Sequence, residues 1–312
     1  MRRGLPDRVD PEKDSFSLYE GVEYEEFWSG SQRQNLDELD HWMVRRLLPP
    51  SGRRIVDVGC GYGRLADCYL DRFQQVVMVD GSMSLLRTAS EKTKGQAVYI
   101  AADAQRLPFR MGAFDAALLI RVFHHIDDSK ACLSELHRVT GNDGRFIFNY
   151  CNKRNAERVL HWLLRRKTSN PFSREADSVG STFISYHPKM VDELLREVGF
   201  TEMKYYGLGV MDRLAARVGV SKGGISLAAQ LAPFLAWSKI APWILCRAIS
   251  KENSNLIDTF NLTDILQCPS CGGDLSAEEE GYRCLLCSTH FPIKDGIIDF
   301  RVPRPSGEQV DE

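Results

Sequence analysis

The chain has 312 residues and a formal net charge of −2, with 43% of its residues hydrophobic and 26% charged. This composition is typical of an ordinary globular protein, and it excludes a collagen-like, coiled-coil or disordered chain. At about 100 to 200 residues per domain, the length allows one large domain or two unequal ones. Because the net charge is slightly acidic, any surface that binds a polyanion must be local.

The amino-terminal leader, residues 1–35, has two early arginines but lacks the apolar segment of a secretory signal. Four of its aromatic residues either fold over a binding crevice as an apolar lid or belong to a plain packing helix: Tyr19, Tyr24, Phe27 and Trp28. The longest charge-free apolar stretch, about residues 223–238, is shorter than the ~20 residues of a membrane-spanning helix. We therefore expect a cytoplasmic protein with no obligatory membrane span.

Strand-length apolar runs alternate with helical patterns from residue 53 onward. The predicted strands are residues 53–58, 75–79, 97–101, 114–120 and 145–150. The predicted helices are about 62–72, 82–93 and 129–139, with Ser82 and Asp128 as caps. This alternation indicates right-handed crossovers and a mostly parallel, doubly wound sheet, which binds ligands beyond the carboxyl ends of its strands.

The second half of the chain continues this pattern and then changes composition. Residues 188–198 predict a helix with Pro188 in its first turn and Gly199 as its stop. Two final strands are predicted at 201–206 and 243–249, with helical material from about 208 to 240 between them. Residues 252–266 have the composition of a linker and the start of a small unit, and 303–312 that of a frayed tail.

A glycine-rich turn follows the first predicted strand, with Gly59, Gly61 and Gly63 in the pattern GxGxG. A dinucleotide-binding turn has the pattern GxGxxG, because its diphosphate lies on a helix amino terminus. Here Asp57 precedes the glycines. A carboxylate at this place would repel a diphosphate and attract a ligand that carries an ammonium and a sulfonium group.

Further acids follow the next two predicted strands. Asp80 closes the second strand, where a carboxylate can accept hydrogen bonds from both hydroxyls of a ribose, and Met83 could pack on an adenine face. Asp103 follows the third strand and could accept from an adenine amino group, with Ala104 offering its backbone amide. Each acid alone is better explained as a helix cap than as a ligand contact, but their joint order favours one nucleoside ligand.

With these motifs, the chain resembles the class I S-adenosylmethionine-dependent methyltransferases, in the branch that includes the ubiquinone and menaquinone biosynthesis enzymes. The resemblance covers about residues 36–250 and rests on VDVGCGYGRLA (56–66), MVDGSMSLL (78–86), AADAQRLPF (101–109), FDAALLIRVFHHI (114–126) and LSELHRVTGNDGRFIFNY (133–150). It implies that Asp57, Gly59, Gly61 and Gly63 line the methionine moiety, Asp80 the ribose, Asp103 the adenine and Arg121 the cofactor's edge. It also implies an antiparallel seventh strand, for which 243–249 is the candidate, and we assign the domain to 36–251.

Two histidines, His124 and His125, follow the fourth predicted strand at the end that faces the ligand. A histidine there is a candidate general base if the methyl acceptor carries a proton at neutral pH. The alternative is that one histidine caps the next turn and the other packs. This segment lacks the (D/N)PP(Y/F) tetrad of many amino-methylating enzymes and has no Pro-Cys pair, which leaves oxygen, carbon or carboxylate methylation of a small molecule or a modified nucleoside.

Residues 153–167 carry six basic residues against Glu157 alone, with apolar residues interleaved. Such a helix could meet phosphates or make peripheral contact with an anionic membrane surface, and the alternative is a solvated face on a core helix. Residues 225–249 present a similar choice between a membrane-touching or hydrophobic-substrate cover and packing against the sheet.

The carboxyl-terminal unit, residues 262–302, contains two CxxC pairs separated by twelve residues: Cys268, Cys271, Cys284 and Cys287. Two such knuckles can hold Zn(II) in a tetrahedron of thiolates, and four protein ligands make the site structural, so we expect a small zinc ribbon. Two disulfides or free thiols are the alternatives. With FPIKDGIIDF (291–300), the unit resembles the small zinc-binding activator subunit of several tRNA, rRNA and release-factor methyltransferases, although it lacks a long inserted helical segment. Because that subunit stabilises a separate enzyme, the fusion suggests stabilisation in cis.

Three interpretations follow. The first is a methyltransferase that acts on a small-molecule acceptor. The second is a tRNA methyltransferase acting on a modified wobble nucleoside, because VFHHI is similar to a segment of the tRNA wobble-uridine carboxymethyl methyltransferases, although the net acidity argues mildly against RNA. The third is a non-catalytic scaffold that retains the cofactor fold.

Overall fold

The protein is described by a computed structural model that covers residues 31–166, 169–179, 183–209, 239–251 and 253–302, with side chains from residue 36 onward. Three predictions fall outside these residues: the aromatic lid of the leader, most of the helical material between 208 and 240, and the tail. The five strands predicted between residues 53 and 150, and the helices predicted between them, all lie within the described residues.

A seven-stranded sheet forms the centre of the fold, with the strand order β3-β2-β1-β4-β5-β9-β8. Its strands are β1 (Gly52–Val58), β2 (Phe73–Asp80), β3 (Val98–Ala101), β4 (Phe114–Leu119), β5 (Thr140–Cys151), β8 (Phe200–Leu208) and β9 (Trp243–Ser250). Strands β6 (Asp177–Val179) and β7 (Phe183–Ser185) form a separate antiparallel pair. Strands β1 to β5 are parallel, and β9 runs antiparallel to both β5 and β8. The predicted doubly wound sheet is confirmed, and the antiparallel strand is the one expected.

Helices cover both faces of this sheet. They are α1 (Ser31–Leu47), α2 (Met83–Lys92), α3 (Ser129–Val139), α4 (Ala156–Leu163) and α5 (Pro188–Glu197). The predicted caps are confirmed, because the side chains of Ser82 and Asp128 accept hydrogen bonds from Leu85 N and Ala131 N. Gly199, with φ of 107°, ends the α5 region as expected. Among the described residues, no helix is both long and apolar enough to cross a bilayer.

The helix predicted at 62–72 is wrong. The segment is a series of turns with one short 3-10 helix, Ala66–Cys68. Most of its backbone hydrogen bonds reach back three residues, as from Ala66 N to Gly63 O and from Tyr69 N to Ala66 O. Glycines with positive φ begin this tightly wound segment. Near its end, the hydroxyl of the buried Tyr69 donates a hydrogen bond to Asp57.

The carboxyl-terminal unit extends the sheet instead of standing apart from it. Its strands are β10 (Leu275–Glu278), β11 (Gly281–Cys284), β12 (His290–Lys294) and β13 (Ile297–Asp299). Strand β13 pairs in parallel with the edge strand β3, so the combined sheet has eleven strands. Ile298 and Phe300 belong to the same buried cluster as Phe109 of the preceding domain. The sequence predicted the small unit but not this continuity.

The segment between the two units, residues 253–261, is held against the first domain by a fully buried arginine. Arg54 Nε donates to Ala113 O over 2.7 Å, and its terminal nitrogens donate to Thr259 O and Ile257 O. The segment predicted as a linker therefore packs below β1, and only the single turn α6 (Leu262–Ile265) separates it from the first cysteine knuckle.

Candidate functional site

Three acidic residues lie at the carboxyl ends of neighbouring strands. Asp57 lies in β1, Asp80 is the last residue of β2, and Asp103 follows β3 by two positions. Because β1, β2 and β3 are adjacent and parallel, their carboxyl ends share one edge of the sheet. The strand order reverses between β1 and β4, and a crevice at such a reversal is where doubly wound sheets bind ligands.

The glycine turn beside these acids has the conformation that its residues predict. Gly59, Gly61 and Gly63 have φ of 71°, 55° and 75°. A Cβ on Gly59 would lie 2.2 Å from Val122 Cγ2, whereas a Cβ on Gly61 would enter open space. A pocket beside the turn is lined by Gly59 and Gly61 together with Asp57 and Arg121. The turn therefore leaves room for a ligand close to its backbone.

Asp57 is an almost fully buried carboxyl group at the base of this pocket. Burial raises the pKa of Asp57 to about 6, although the Tyr69 hydroxyl, which donates to its Oδ2 over 2.7 Å, and the Arg64 cation both favour the ionised form. A positively charged group in the pocket would favour ionisation further.

Asp80 and Asp103 have backbone donors within reach. Asp80 accepts from Gly61 N over 2.8 Å and from Ser82 N over 2.9 Å, so its carboxylate joins the glycine turn to the start of α2. Asp103 accepts from Gln105 N over 3.0 Å. Ala104 lies beside Asp103 and is half-buried, and Met83 is buried at the first position of α2. Their predicted contacts with a nucleoside stay predictions.

A buried ion-pair network closes the other side of the pocket. Arg121 donates from Nε and Nη2 to the two oxygens of Asp40 over 3.1 and 3.0 Å, and Arg64 donates to Asp40 over 3.1 Å. Arg121 has a φ of 64°, and its guanidinium lies 4.2 Å from the Trp243 ring. Arg121 Nη1 is buried and makes no hydrogen bond within the described residues. This donor can bind an anionic or carbonyl oxygen of a ligand.

Sequence reasoning missed Asp40 and Trp243 in this network. The available signal for Asp40 was an acid on the apolar face of α1, one position after the buried Leu39. No sequence signal joined Arg121 to Trp243, because they meet only through the pairing of β5 with β9.

His124 and His125 lie on a short 3-10 helix, Phe123–His125, directly after β4. Their ring centroids are 3.9 Å apart, and Phe183 and Trp243 lie 4.5 and 5.0 Å from the His124 ring. Burial, with His125 and Arg121 nearby, holds the pKa of His124 well below its usual value. His124 is therefore neutral at pH 7, and its buried Nδ1 has no partner within the described residues.

The carboxyl-terminal unit contacts both loops that carry Asp80 and Asp103. Phe300 N donates to Ala101 O over 2.8 Å, at the end of β3. Arg301 Nη1 donates to Gly81 O over 3.3 Å, directly after Asp80. Farther along, Arg110 N donates to Ile265 O. The unit thus supports the edge of the crevice from outside.

The four cysteines of the small unit converge. Cys268 Sγ lies 3.7 Å from Cys287 Sγ, and Cys271 Sγ lies 3.5 Å from Cys284 Sγ. All four sulfur atoms lie within 4.8 Å of one another. A tetrahedron of thiolates at a Zn–S distance of about 2.3 Å has edges of about 3.8 Å, so these separations fit Zn(II) and are far longer than a disulfide bond.

Comparison with known families agrees with this two-part architecture. Residues 56–148 match the family described as methyltransferase domain, and residues 259–296 match the family described as Trm112p-like protein. The chain joins a methyltransferase domain to a Trm112p-like domain. Both resemblances predicted from the sequence are confirmed.

Named relatives of the methyltransferase domain act on different acceptors. A demethylmenaquinone methyltransferase of Renibacterium salmoninarum is 28% identical over 131 residues, which is 38% of this chain and 55% of the relative. A tRNA (carboxymethyluridine(34)-5-O)-methyltransferase of Xenopus tropicalis is 37% identical over 103 residues, which is 31% of this chain and 15% of the relative. The chain thus spans about half or less of the length of these two relatives.

One solved structure resembles most of the chain. It belongs to a complex between the Haloferax volcanii Trm112 methyltransferase activator and a protein described as a methyltransferase. The TM-score is 0.53 at 16% identity, with 77% of this chain and 99% of the other covered. At this identity the likeness shows the shared fold alone, in agreement with the predicted fold class.

Proposed function

We propose that the protein is an S-adenosylmethionine-dependent methyltransferase that acts on a small-molecule acceptor at oxygen, carbon or a carboxylate. The observation that carries this proposal is that Asp57, Asp80 and Asp103 lie along one edge of the sheet, with the open glycine turn joined to Asp80. Negative charge in this crevice favours a cationic methyl donor over a dinucleotide diphosphate. S-adenosylmethionine supplies an electrophilic methyl group on a sulfonium centre.

The proposed binding roles follow from position. Asp57, Gly59 and Gly61 line the pocket where the methionine moiety would lie, Gly63 ends the same turn, and Asp57 would attract the ammonium group of the ligand. Asp80 and Asp103 would accept from the ribose hydroxyls and the adenine amino group, with Ala104 and Met83 beside the base. Arg121 is supported as a contact by its unpartnered Nη1, because a buried guanidinium nitrogen favours a carboxylate oxygen.

For the chemical step, we propose His124 or His125 as general base toward an acceptor hydroxyl or acidic carbon. Burial keeps the His124 imidazole neutral at pH 7, with its Nδ1 free of partners within the described residues, while the lowered pKa also makes it a weaker base. Methyl transfer otherwise depends mainly on holding the acceptor in line with the methyl group, which can contribute ~7 to 11 kcal/mol. The aromatic rings of Phe183 and Trp243 favour an acceptor with an apolar body.

A tRNA acceptor is the second candidate, favoured by the relative that acts on carboxymethyluridine. The two are separated by incubating the zinc-loaded protein with S-adenosylmethionine labelled in its methyl group, once with a metabolite extract and once with bulk tRNA. Label in low-molecular-mass products supports the first proposal, and label in tRNA supports the second. If neither is labelled although the cofactor binds, the protein is a scaffold.

For the Trm112p-like domain we propose structural Zn(II) bound by Cys268, Cys271, Cys284 and Cys287, and stabilisation of the methyltransferase domain in cis. The pairing of β13 with β3 covers an edge that would otherwise expose backbone donors and acceptors. The bonds from Phe300 and Arg301 to the loops after β3 and β2 support the same role. A unit this small gains most of its folding free energy from the metal.

A further inference from the structure

The short helix α4 carries an apolar stripe that faces away from the core. Leu160, Leu163 and Leu164 are 54%, 62% and 52% exposed, and they follow one another at the spacing that places side chains on one helix face. We call these three exposed leucines the apolar patch. Phe172, 48% exposed, packs edge-on against Trp162 at 5.6 Å, on another face of α4 and outside this patch. Clustered exposed apolar side chains can mark interaction sites.

The apolar patch is held on a rigid base. Asn155 caps α4 by accepting from Arg158 N, and Ala156 N donates to Ile240 O. Beneath the helix, the buried Lys153 ammonium pairs with Asp177 over 2.9 Å and donates to Glu175 O over 2.6 Å. Because these contacts anchor the start of α4, the exposure of its leucines is a property of the folded helix.

Basic residues flank the patch. The described residues between 153 and 174 include Arg154, Arg158, Arg165, Arg166 and Arg174 outside the core, against the single acid Glu157. Lys153 is buried, and Arg174 pairs with Glu193 over 2.9 Å. Arg165 and Arg166 are exposed directly after α4, next to Leu163 and Leu164. Asp177 is paired with both Lys153 and Arg158. The surface is therefore both apolar and cationic.

The apolar patch lies on a helix that begins at the same edge of the sheet as the crevice. Strand β5 ends at Cys151 and α4 begins at Ala156, so the helix starts from the carboxyl edge of the sheet. The glycine turn and the three acids lie at the same edge. An acceptor reaching the crevice from this side would pass near α4.

We propose that α4 and the apolar patch dock the protein on the surface of an anionic lipid bilayer. The leucine side chains can enter the interface between headgroups and acyl chains while the flanking arginines remain at the lipid phosphates. A polynucleotide would satisfy the arginines but would leave three leucines exposed to water, since bases stack on aromatic rings and not on leucine. The inference concerns location and is independent of the proposed acceptor.

The test measures co-sedimentation of the full, zinc-loaded chain with vesicles, without any turnover. We expect binding to phosphatidylcholine vesicles containing about one third phosphatidylglycerol, and at least ~10-fold weaker binding to phosphatidylcholine alone. The variant L163Q/L164Q should lose at least ~10-fold in affinity for the anionic vesicles. The variant R165E/R166E should lose the preference for anionic lipid, at about fivefold per arginine removed.

The matched control is L285Q/L286Q, which replaces two leucines in the second cysteine knuckle that are 69% and 72% exposed. It should bind vesicles as the parent does, and thermal unfolding should show that all variants fold. The proposal is overturned if the parent does not sediment with anionic vesicles, or if the control loses as much affinity as L163Q/L164Q. Binding to tRNA that depends on the arginines but not on the leucines would assign the surface to nucleic acid instead.

Discussion

At the scale of single residues, the ionisation of Asp57 links cofactor binding to pH. Burial raises the pKa of Asp57 to about 6, so the carboxyl is ionised at pH 7 and mostly protonated at pH 5. Since the ionised form attracts a cationic ligand, affinity for S-adenosylmethionine should fall as pH falls through about 6. We expect a loss of roughly tenfold between pH 7 and pH 5, measured by calorimetry at both values.

The variant Asp57→Asn provides the control for this prediction. It should bind S-adenosylmethionine more weakly than the parent at pH 7 and should lose most of the difference between pH 7 and pH 5. A parent affinity that is constant over this range, or an equal pH effect in the variant, would argue against Asp57 as the group responsible.

The two histidines give a second prediction at this scale. Replacing His124 and His125 together with alanine should lower kcat by ~100-fold or more, because general base catalysis contributes about 10² to 10⁴. The Kd for S-adenosylmethionine should change by less than about threefold, since the rings lie beyond the glycine turn. Steady-state kinetics and calorimetry measure the two quantities, with His290→Ala on the ribbon as the control. Equal, modest losses in both would favour a packing role.

At the scale of elements, the hydrogen bonds by which Arg54 holds residues 253–261 against the first domain can be tested by comparison with the neighbouring Arg53. Arg54 is fully buried and satisfies three carbonyl groups, whereas Arg53 is 32% exposed and pairs with the exposed Asp258. Arg54→Met should lower the free energy of unfolding by ~3 kcal/mol, because buried carbonyls lose their donors. Arg53→Met should cost less than ~1 kcal/mol. Denaturant unfolding would contradict this if the two variants were equally stable.

Most elements could be predicted from local signals, and the exceptions have physical causes. Ser82, Asp128, Pro188 and Gly199 marked helix ends correctly because capping depends on the residue itself. The helix expected at 62–72 had the right apolar pattern, but the positive φ of the glycine turn and the contact from Tyr69 to Asp57 impose tighter winding. Tertiary contacts of this kind leave no periodic signal in the sequence.

The candidate site likewise combines features that local sequence predicts with features that only tertiary contacts determine. The glycine turn and the acids at strand ends are local features, so the sequence could bring them together on one edge. The partners of Arg121 and His124 could not be predicted, because Asp40, Phe183 and Trp243 come from distant parts of the chain. Pocket shape depends on these distant contacts.

At the scale of the whole molecule, the two domains share one sheet. Strand β13 has only three residues, and nothing in Ile297–Asp299 indicates that its partner is β3. The sequence therefore predicted a separate ribbon where the structure has a continuous sheet. Ile265, Leu266 and Phe300 are buried in the same cluster as Phe109 and Leu107 of the methyltransferase domain.

Removing residues 262–312 should therefore destabilise the rest of the chain. Each large apolar side chain removed from the cluster costs ~1.5 to 3 kcal/mol, so the Tm should fall by roughly 10 °C or more. Removing zinc with a chelator should lower the Tm in the same direction. Differential scanning calorimetry measures both, and an unchanged, fully active truncation would contradict stabilisation in cis.

The most direct test of the account is calorimetric titration of the zinc-loaded protein with S-adenosylmethionine, with NAD and FAD as competing ligands. The acidic crevice predicts saturable binding of S-adenosylmethionine at one site per chain and clear weakening in Asp80→Asn, with no tight binding of either dinucleotide. Tight binding of a dinucleotide together with no heat from S-adenosylmethionine would contradict it.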